Sequence, residues 1–410
     1  MISRKIRLCY IAFALFAISS VLPAGSFYSV PVKIITFVIL IFSFVFSKRR
    51  SVDLFITLWG GVVFFLICWS MIGVVNGFSV SVQRELYAFA SLLAVIIAIY
   101  YMQLNKIVDI EFCFKCFVLV MYLFVGWKIA LEVFYMTGVM SREQIVSLLK
   151  IFFDAQVMSW EVSAGGIRFC RIGVPNDQLP ILVGSFLCIL ERKNYHKLFL
   201  IVGLLFLHSL ISFSRIFIVQ VVLFVVFLTF FDPAHRDSKH KKTVVAFCAL
   251  AFVLVGVISF GGADLFDLLS TRFNSSSTEY SDAIRVEQFS VLWAGFCEDF
   301  VMGKGMGAYV LSFIRDSKNL FSYEIEYLSF LFQFGALGFS LIIGGIVILV
   351  VYMVLHGIKQ RSVRWIAILD LMFLFVKPLF NPYFLSSSAG CAICAIYLCS
   401  RYISDREVLL

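Results

Sequence analysis

The sequence predicts an all-α fold, a polytopic integral membrane protein with about 12 transmembrane helices, and three observations carry that prediction. Hydrophobic residues make up 61% of the 410 positions and charged ones only 14%, with a mean hydropathy of +0.99, far from the composition of soluble domains. Apolar runs long enough to cross a bilayer core of about 30 Å recur along the whole chain. The basic residues gather in short connections between those runs, which is the positive-inside pattern; the net charge of +9 therefore signals orientation, not a nucleic-acid partner.

Apolar segments occupy 8–22, 30–46, 54–75, 86–102, 116–135, 173–190, 198–231, 243–260, 323–355 and 366–400. The start, Arg4, Lys5 and Arg7 followed by apolar residues to Leu22, has the outline of a signal peptide without a clear small-x-small cleavage site, so it reads as an uncleaved first span. The run 198–231 would make a helix of roughly 50 Å. Arg192, Lys193 and Lys197 precede it, and Arg236, Lys239, Lys241 and Lys242 follow, so it must go out and return, turning at Ser212-Phe213-Ser214-Arg215. The same logic, with Lys359, Arg361 and Arg364 before and Arg401 and Arg406 after, divides 366–400 at Asn381-Pro382, where proline stops the helical ladder. The run 323–355 opens with Glu324 and Glu326 and carries Gly335 and Gly338, which reads as an interfacial helix leading into one span. Both termini then lie on the cytoplasmic side, and 1–410 is one membrane domain.

Two outer segments stand out by length, 136–172 and 261–322, about 37 and about 62 residues, and loops this long in a compact protein are functional or disordered. Their aromatic residues, paired charges and glycine turns favour function. The outer side is rich in arginine: Arg142, Arg168, Arg171, Arg215, Arg272, Arg285 and Arg315. Guanidinium forks suit phosphate oxygens at any relevant pH. Arg215 sits at a turn at the hydrocarbon edge, where it is either an anion ligand or an arginine snorkelling to headgroups. Pro175 and Asn176 start a helix, so this stretch is either an anion site or a cap. Residues 282–296 read as an amphipathic helix with Ile284, Phe289, Leu292 and Phe296 on its apolar face and Arg285 and Gln288 on another. Gly303-Lys304-Gly305-Met306-Gly307 is a phosphate cradle or a tight turn, without nucleotide-binding spacing. Glu324 is a general base or a helix cap.

Four of the five histidines fall in cytoplasmic connections; His208 lies within a span, either as a packed interior residue or as a base. The pairs Cys113 with Cys116 and Cys391 with Cys394 lack histidine partners, so no metal is expected. Cys170 and Cys297 lie in the two outer segments, where an oxidising compartment could join them. No internal repeat marks a transporter built from duplicated halves.

Over 130–350 the chain resembles the superfamily of Wzy-type O-antigen polymerases and O-antigen ligases. The carriers are Arg171 with Pro175-Asn176, the turn at Arg215, Ala283-Ile284-Arg285 leading to Trp293, the glycine turn at 303–307, and Glu324 with Gly335 and Gly338. Ligases of the superfamily show His-Asn, nine residues, then Gly-x-x-Gly. Here the register reads Glu324-Ile325, nine residues, Gly335-Ala336-Leu337-Gly338, so the ligase histidine is missing and polymerase is the favoured member.

The resemblance implies a membrane glycosyltransferase in the bacterial inner membrane that joins undecaprenyl-pyrophosphate-linked oligosaccharides at the periplasmic face, inverting the anomeric centre, with no metal or other cofactor. It implies Glu324 and Arg215 as catalytic residues and Arg171, Arg285, Arg168 and Asn176 as pyrophosphate or substrate ligands. Membrane lipid and a chain-length regulator protein are the implied partners. A flippase for the same lipid-linked units and an O-antigen ligase are the alternatives.

Overall fold

The computed structural model describes residues 4–23, 26–28, 30–44, 53–153, 161–164, 167–192, 194–212, 214–230, 276–314, 319–379 and 384–407. Nearly all of these are helical. The first five helices follow the apolar runs closely: α1 (Arg4–Ser19), α2 (Val32–Phe44), α3 (Leu54–Val75), α4 (Ser79–Leu104) and α5 (Ile110–Met136). Asp53 and Asp109 cap α3 and α5, accepting from Ile56 N at 3.1 Å and Glu111 N at 3.3 Å, so each start is written in a single side chain.

The described residues of 136–172 form regular elements. These are the amphipathic α6 (Arg142–Phe153) and a hairpin of β1 (Glu161–Ala164) and β2 (Ile167–Cys170), antiparallel with Glu161 opposite Cys170. A short 3-10 turn (Pro175–Asp177) then leads into α7 (Gln178–Leu190), which is apolar on every side and buried from Gln178 to Ile189. It is the hub, packed against α5 and α8 (Tyr195–Ser212). A Cβ added at Gly184 would fall 2.5 Å from Leu205 Cδ2, so glycine sets how closely α7 and α8 approach.

The run 198–231 divides where its flanking charges require: α8 ends at Ser212 and α9 (Arg215–Phe230) begins at Arg215. The basic connection 231–242 and the apolar segment 243–260 lie outside the described residues, as do 261–275. Next come α10 (Ser276–Glu298), α11 (Glu326–Phe339), a π-helical turn (Ser340–Gly344), α12 (Gly345–Leu355), α13 (Arg361–Val376) and α14 (Ser387–Glu407). Gly335 inside α11 has φ 63° and ψ −178°, which breaks the ladder between an amphipathic first part and the most apolar stretch. Among the described residues, four helices are long and apolar enough to cross a membrane, Leu54–Val75, Ser79–Leu104, Ile110–Met136 and Glu326–Leu355. The shorter Arg7–Ser19, Val32–Phe44, His196–Ser212 and Ile216–Leu228 are apolar too.

Successive helices run up and down, and their ends sort into two groups. At one end Asn176 Nδ2 donates to Ser20 O (3.1 Å) and Leu22 O (2.7 Å), Tyr28 N to Phe152 O (2.7 Å), Ile172 N to Ile211 O (3.0 Å) and the Tyr327 hydroxyl to Phe375 O (2.8 Å). At the other, Asp109 N donates to the Tyr10 hydroxyl (3.1 Å), the Tyr100 hydroxyl to Asp53 (2.8 Å) and Lys359 N to Ser404 Oγ (3.3 Å). The described residues of both long segments belong to the first end.

Candidate functional site

Three polar groupings occupy that first end. The first joins α5 to the stretch before α7. Lys128, fully buried on α5, lies 2.6 Å from Asp177 Oδ1 and donates to Ile172 O (2.6 Å) and Ser212 Oγ (2.8 Å). One turn on, Glu132 accepts from Cys170 N at 3.0 Å. Arg171 Nε donates to Ser212 O at 3.1 Å, and His208 Nε2 stands 2.8 Å from Asp177 O. An ammonium inside an apolar helix is costly without a partner. Here it is met by a carboxylate and two oxygens, and in return it ties the Arg171 strand end to the turn that begins at Ser212.

The second grouping is the pair Arg285 and Glu324. Arg285 Nε is 2.6 Å from Glu324 Oε2, with the side chains 30% and 14% exposed, and Glu324 N donates to Gln288 Oε1 at 3.0 Å. The helix begins at Glu326 with Ile325 as its cap position, so Glu324 does not cap it; its carboxylate is turned to the guanidinium of α10. This juxtaposition links the second long segment to the entrance of the longest apolar helix.

The third centres on Glu326 and Lys377, both buried. The Glu326 carboxylate accepts from Phe384 N (2.9 Å) and Leu385 N (3.1 Å), holding the approach to α14. Lys377 Nζ lies 5.0 Å from the Phe217 ring centroid and feels the charges of Asp177 and Glu326, so it stands between the first grouping and α11. The cavity among Asn176, Gln178, Lys377 and Phe384 is about 20 Å³. That holds one water and excludes a sugar.

The structure therefore brings Arg285 and Glu324 into contact and puts Arg171 in a different grouping at the same end. Arg215 starts α9, three residues beyond Ser212, and Arg168 lies in β2 opposite Ser163; the side chains of both lie outside the described residues, as do Arg272 and Arg315.

Several sequence expectations are corrected. Asn176 does not offer itself to an anion: its amide is buried and bound to the end of α1. At the start of α7 the anion is internal, because Asp177 accepts from Val174 N at 2.9 Å. The glycine turn is no cradle either. Gly303 N donates to Asp299 O, Lys304 N to Phe332 O, Gly305 N to Gln333 O, Met306 N to Trp69 O and Gly307 N to the Glu85 carboxylate at 2.7 Å, which leaves no amide for phosphate. Around α10 the faces are exchanged: Gln288 is buried with Leu292 and Phe296, whereas Phe289 is 50% exposed. Cys170 and Cys297 are both free thiols.

Lys128, Glu132 and Lys377 escaped the sequence reading. The signal was present, since Lys128 and Glu132 are charged residues four apart inside an apolar run, which puts them on one face of a helix. No protein-family model matches the chain, and no curated protein matches it. Fold and site together define a helical protein that has, among its described residues, four helices long and apolar enough to cross a membrane and ion pairs where its two long segments meet the helix ends.

Proposed function

We propose that the chain is a polytopic inner-membrane glycosyltransferase of about 12 spans, both termini cytoplasmic, that polymerises undecaprenyl-pyrophosphate-linked oligosaccharides at the periplasmic face. The observation that carries this reading is the contact of Arg285 with Glu324, a partly buried guanidinium and carboxylate at the mouth of the longest apolar helix. A diphosphate competes with a carboxylate for a guanidinium fork. When the donor's diphosphate takes Arg285, Glu324 is released to accept a proton.

The acceptor hydroxyl then attacks the anomeric carbon. A carbon–oxygen bond forms, the bond from that carbon to the diphosphate oxygen breaks, and the lipid diphosphate departs with the electron pair while Glu324 takes the hydroxyl proton. Arg171 and Arg215 flank the same turn and complete the electrostatic stabilisation of the leaving group. Attack opposite the leaving group inverts the centre.

Surface glycan from a deletion strain tests the activity. A polymerase defect leaves single repeat units on the surface and is restored by the wild-type chain but not by Arg285→Ala. Loss of all surface units would assign a ligase instead, and units trapped inside the cell a flippase; either result overturns the proposal.

A further inference from the structure

The helix α10 carries an apolar strip that no other described residue covers. Val286, Phe289, Trp293, Cys297 and Phe300 recur at helical spacing; the four other than Cys297 are 69%, 50%, 45% and 55% exposed, and Cys297 is exposed too. Phe289 and Trp293 stack on each other at 5.9 Å with 6° between their planes. The helix already has a buried side, formed by Gln288, Leu292 and Phe296 against α11, and Gly295 lets Phe332 approach so closely that a Cβ there would fall 2.5 Å from its ring. The strip is a second apolar face. The helical part of this row, Val286 to Cys297, is about 17 Å long at the helical rise, and with Phe300 just past the helix end it marks an apolar interaction surface.

What covers it follows from its neighbours. The strip ends where Phe300 O and Val301 O accept from Ala336 N (2.8 Å) and Leu337 N (3.1 Å), which joins it to Leu337, 44% exposed, and so to the exposed side of the Glu326–Leu355 helix, with Ile348 at 68%. That surface faces acyl chains if the helix crosses a bilayer. Ion pairs flank both ends of the strip: Arg285 with Glu324 at one, and Lys304 with Asp299 (2.5 Å) and Glu298 (3.0 Å) at the other. A helix threaded across the bilayer would submerge one of these pairs, at a high desolvation cost. Lying in the plane, it keeps both at headgroup depth while the aromatic row faces inward.

We infer that α10 is an in-plane interfacial helix seated in the lipid surface by this strip, not a segment of a solvent-borne loop. Arg285, beside the strip's first residue Val286, is thereby held at headgroup level.

Trp293→Phe isolates the emission of one indole by difference in the full-length protein reconstituted into phosphatidylglycerol vesicles. Brominated phosphatidylglycerol is expected to remove most of that emission, and aqueous iodide to leave it unchanged. Glu287→Trp, on the adjoining polar face in the Trp293→Phe background, is expected to respond the opposite way. Quenching of Trp293 by iodide but not by brominated lipid overturns the inference in favour of a water-facing strip. Quenching by neither overturns it in favour of a protein cover, a second copy or another chain.

Discussion

Lys128 Nζ and Asp177 Oδ1 lie 2.6 Å apart with the two side chains 0% and 3% exposed, so α5 and the start of α7 are joined by an ion pair shut off from water. Breaking one partner strands the other charge, a loss of about 3–5 kcal/mol, whereas replacing both with apolar or neutral groups of similar volume is close to neutral. Lys128→Met alone is expected to lower the midpoint of thermal unfolding in detergent sharply, and Lys128→Met with Asp177→Asn to recover much of it. Equal losses in the single and double variants would show that the pair is not what holds the contact.

The glycine turn makes a second, steric prediction. Gly307 has φ +79°, and a Cβ there would fall 2.4 Å from Val82 N; at Gly335, φ +63°, it would fall 2.4 Å from Val301 O. Both neighbours are backbone and cannot step aside. Gly307→Ala and Gly335→Ala are each expected to cost about 1–3 kcal/mol from strain and overpacking. Gly60→Ala, whose Cβ meets nothing within 4 Å, should be tolerated. The yield of monodisperse protein from membranes, compared across the three variants, reads the difference.

How much of this was legible depends on the range of the interaction. The break between α8 and α9 was readable because charge on both flanks and a polar turn are local signals, and the division of the 323–355 run at Gly335 was readable from its glycines. The partner of Gly307 was not: Glu85 is 222 residues away in sequence, and no spacing rule connects a helix carboxylate to a distant glycine turn. Around α10 the periodicity misled because the helix has two apolar faces, so a single best stripe placed Phe289 with Leu292 and left buried Gln288 outside. Lys128 and Glu132 could have been flagged as charges in an apolar run, but their partners Asp177 and Cys170 arrive only with the tertiary fold.

Alkaline pH should loosen the segment between α10 and α11. Asp299 and then Glu298 hold the Lys304 ammonium above its ordinary value of 10.5, and burial raises the Tyr323 phenol above 10.0. Both shifts favour the protonated form in the folded chain, so their contribution is full below about pH 10 and is lost as pH rises through the folded values. Tyr323 also accepts from Val310 N at 2.9 Å and is 1% exposed, so a phenolate there would be both unsolvated and without its proton to donate. The unfolding midpoint of the wild-type chain should fall above pH 10, and that of Tyr323→Phe should fall less. Parallel curves would place the alkaline sensitivity elsewhere.

The pair of Arg285 with Glu324 separates stability from activity. At 30% and 14% exposure it lies between the surface regime, where such contacts contribute about 0–1 kcal/mol, and the buried one. Glu324→Gln keeps the shape and the acceptor oxygen for Arg285, so unfolding should shift by no more than about 1 kcal/mol. As a proton acceptor the amide is inert, and polymer should be lost by about 10²-fold or more. Arg285→Lys retains charge but not the fork, so it should fold normally while demanding more lipid-linked donor and turning it over more slowly, a defect in both KM and the maximal rate. The exchanged pair, Arg285→Glu with Glu324→Arg, restores the ion pair and not the chemistry. If these variants unfold in proportion to their lost activity, the pair is a strut; if Glu324→Gln stays folded and makes no polymer, the carboxylate is needed for proton transfer.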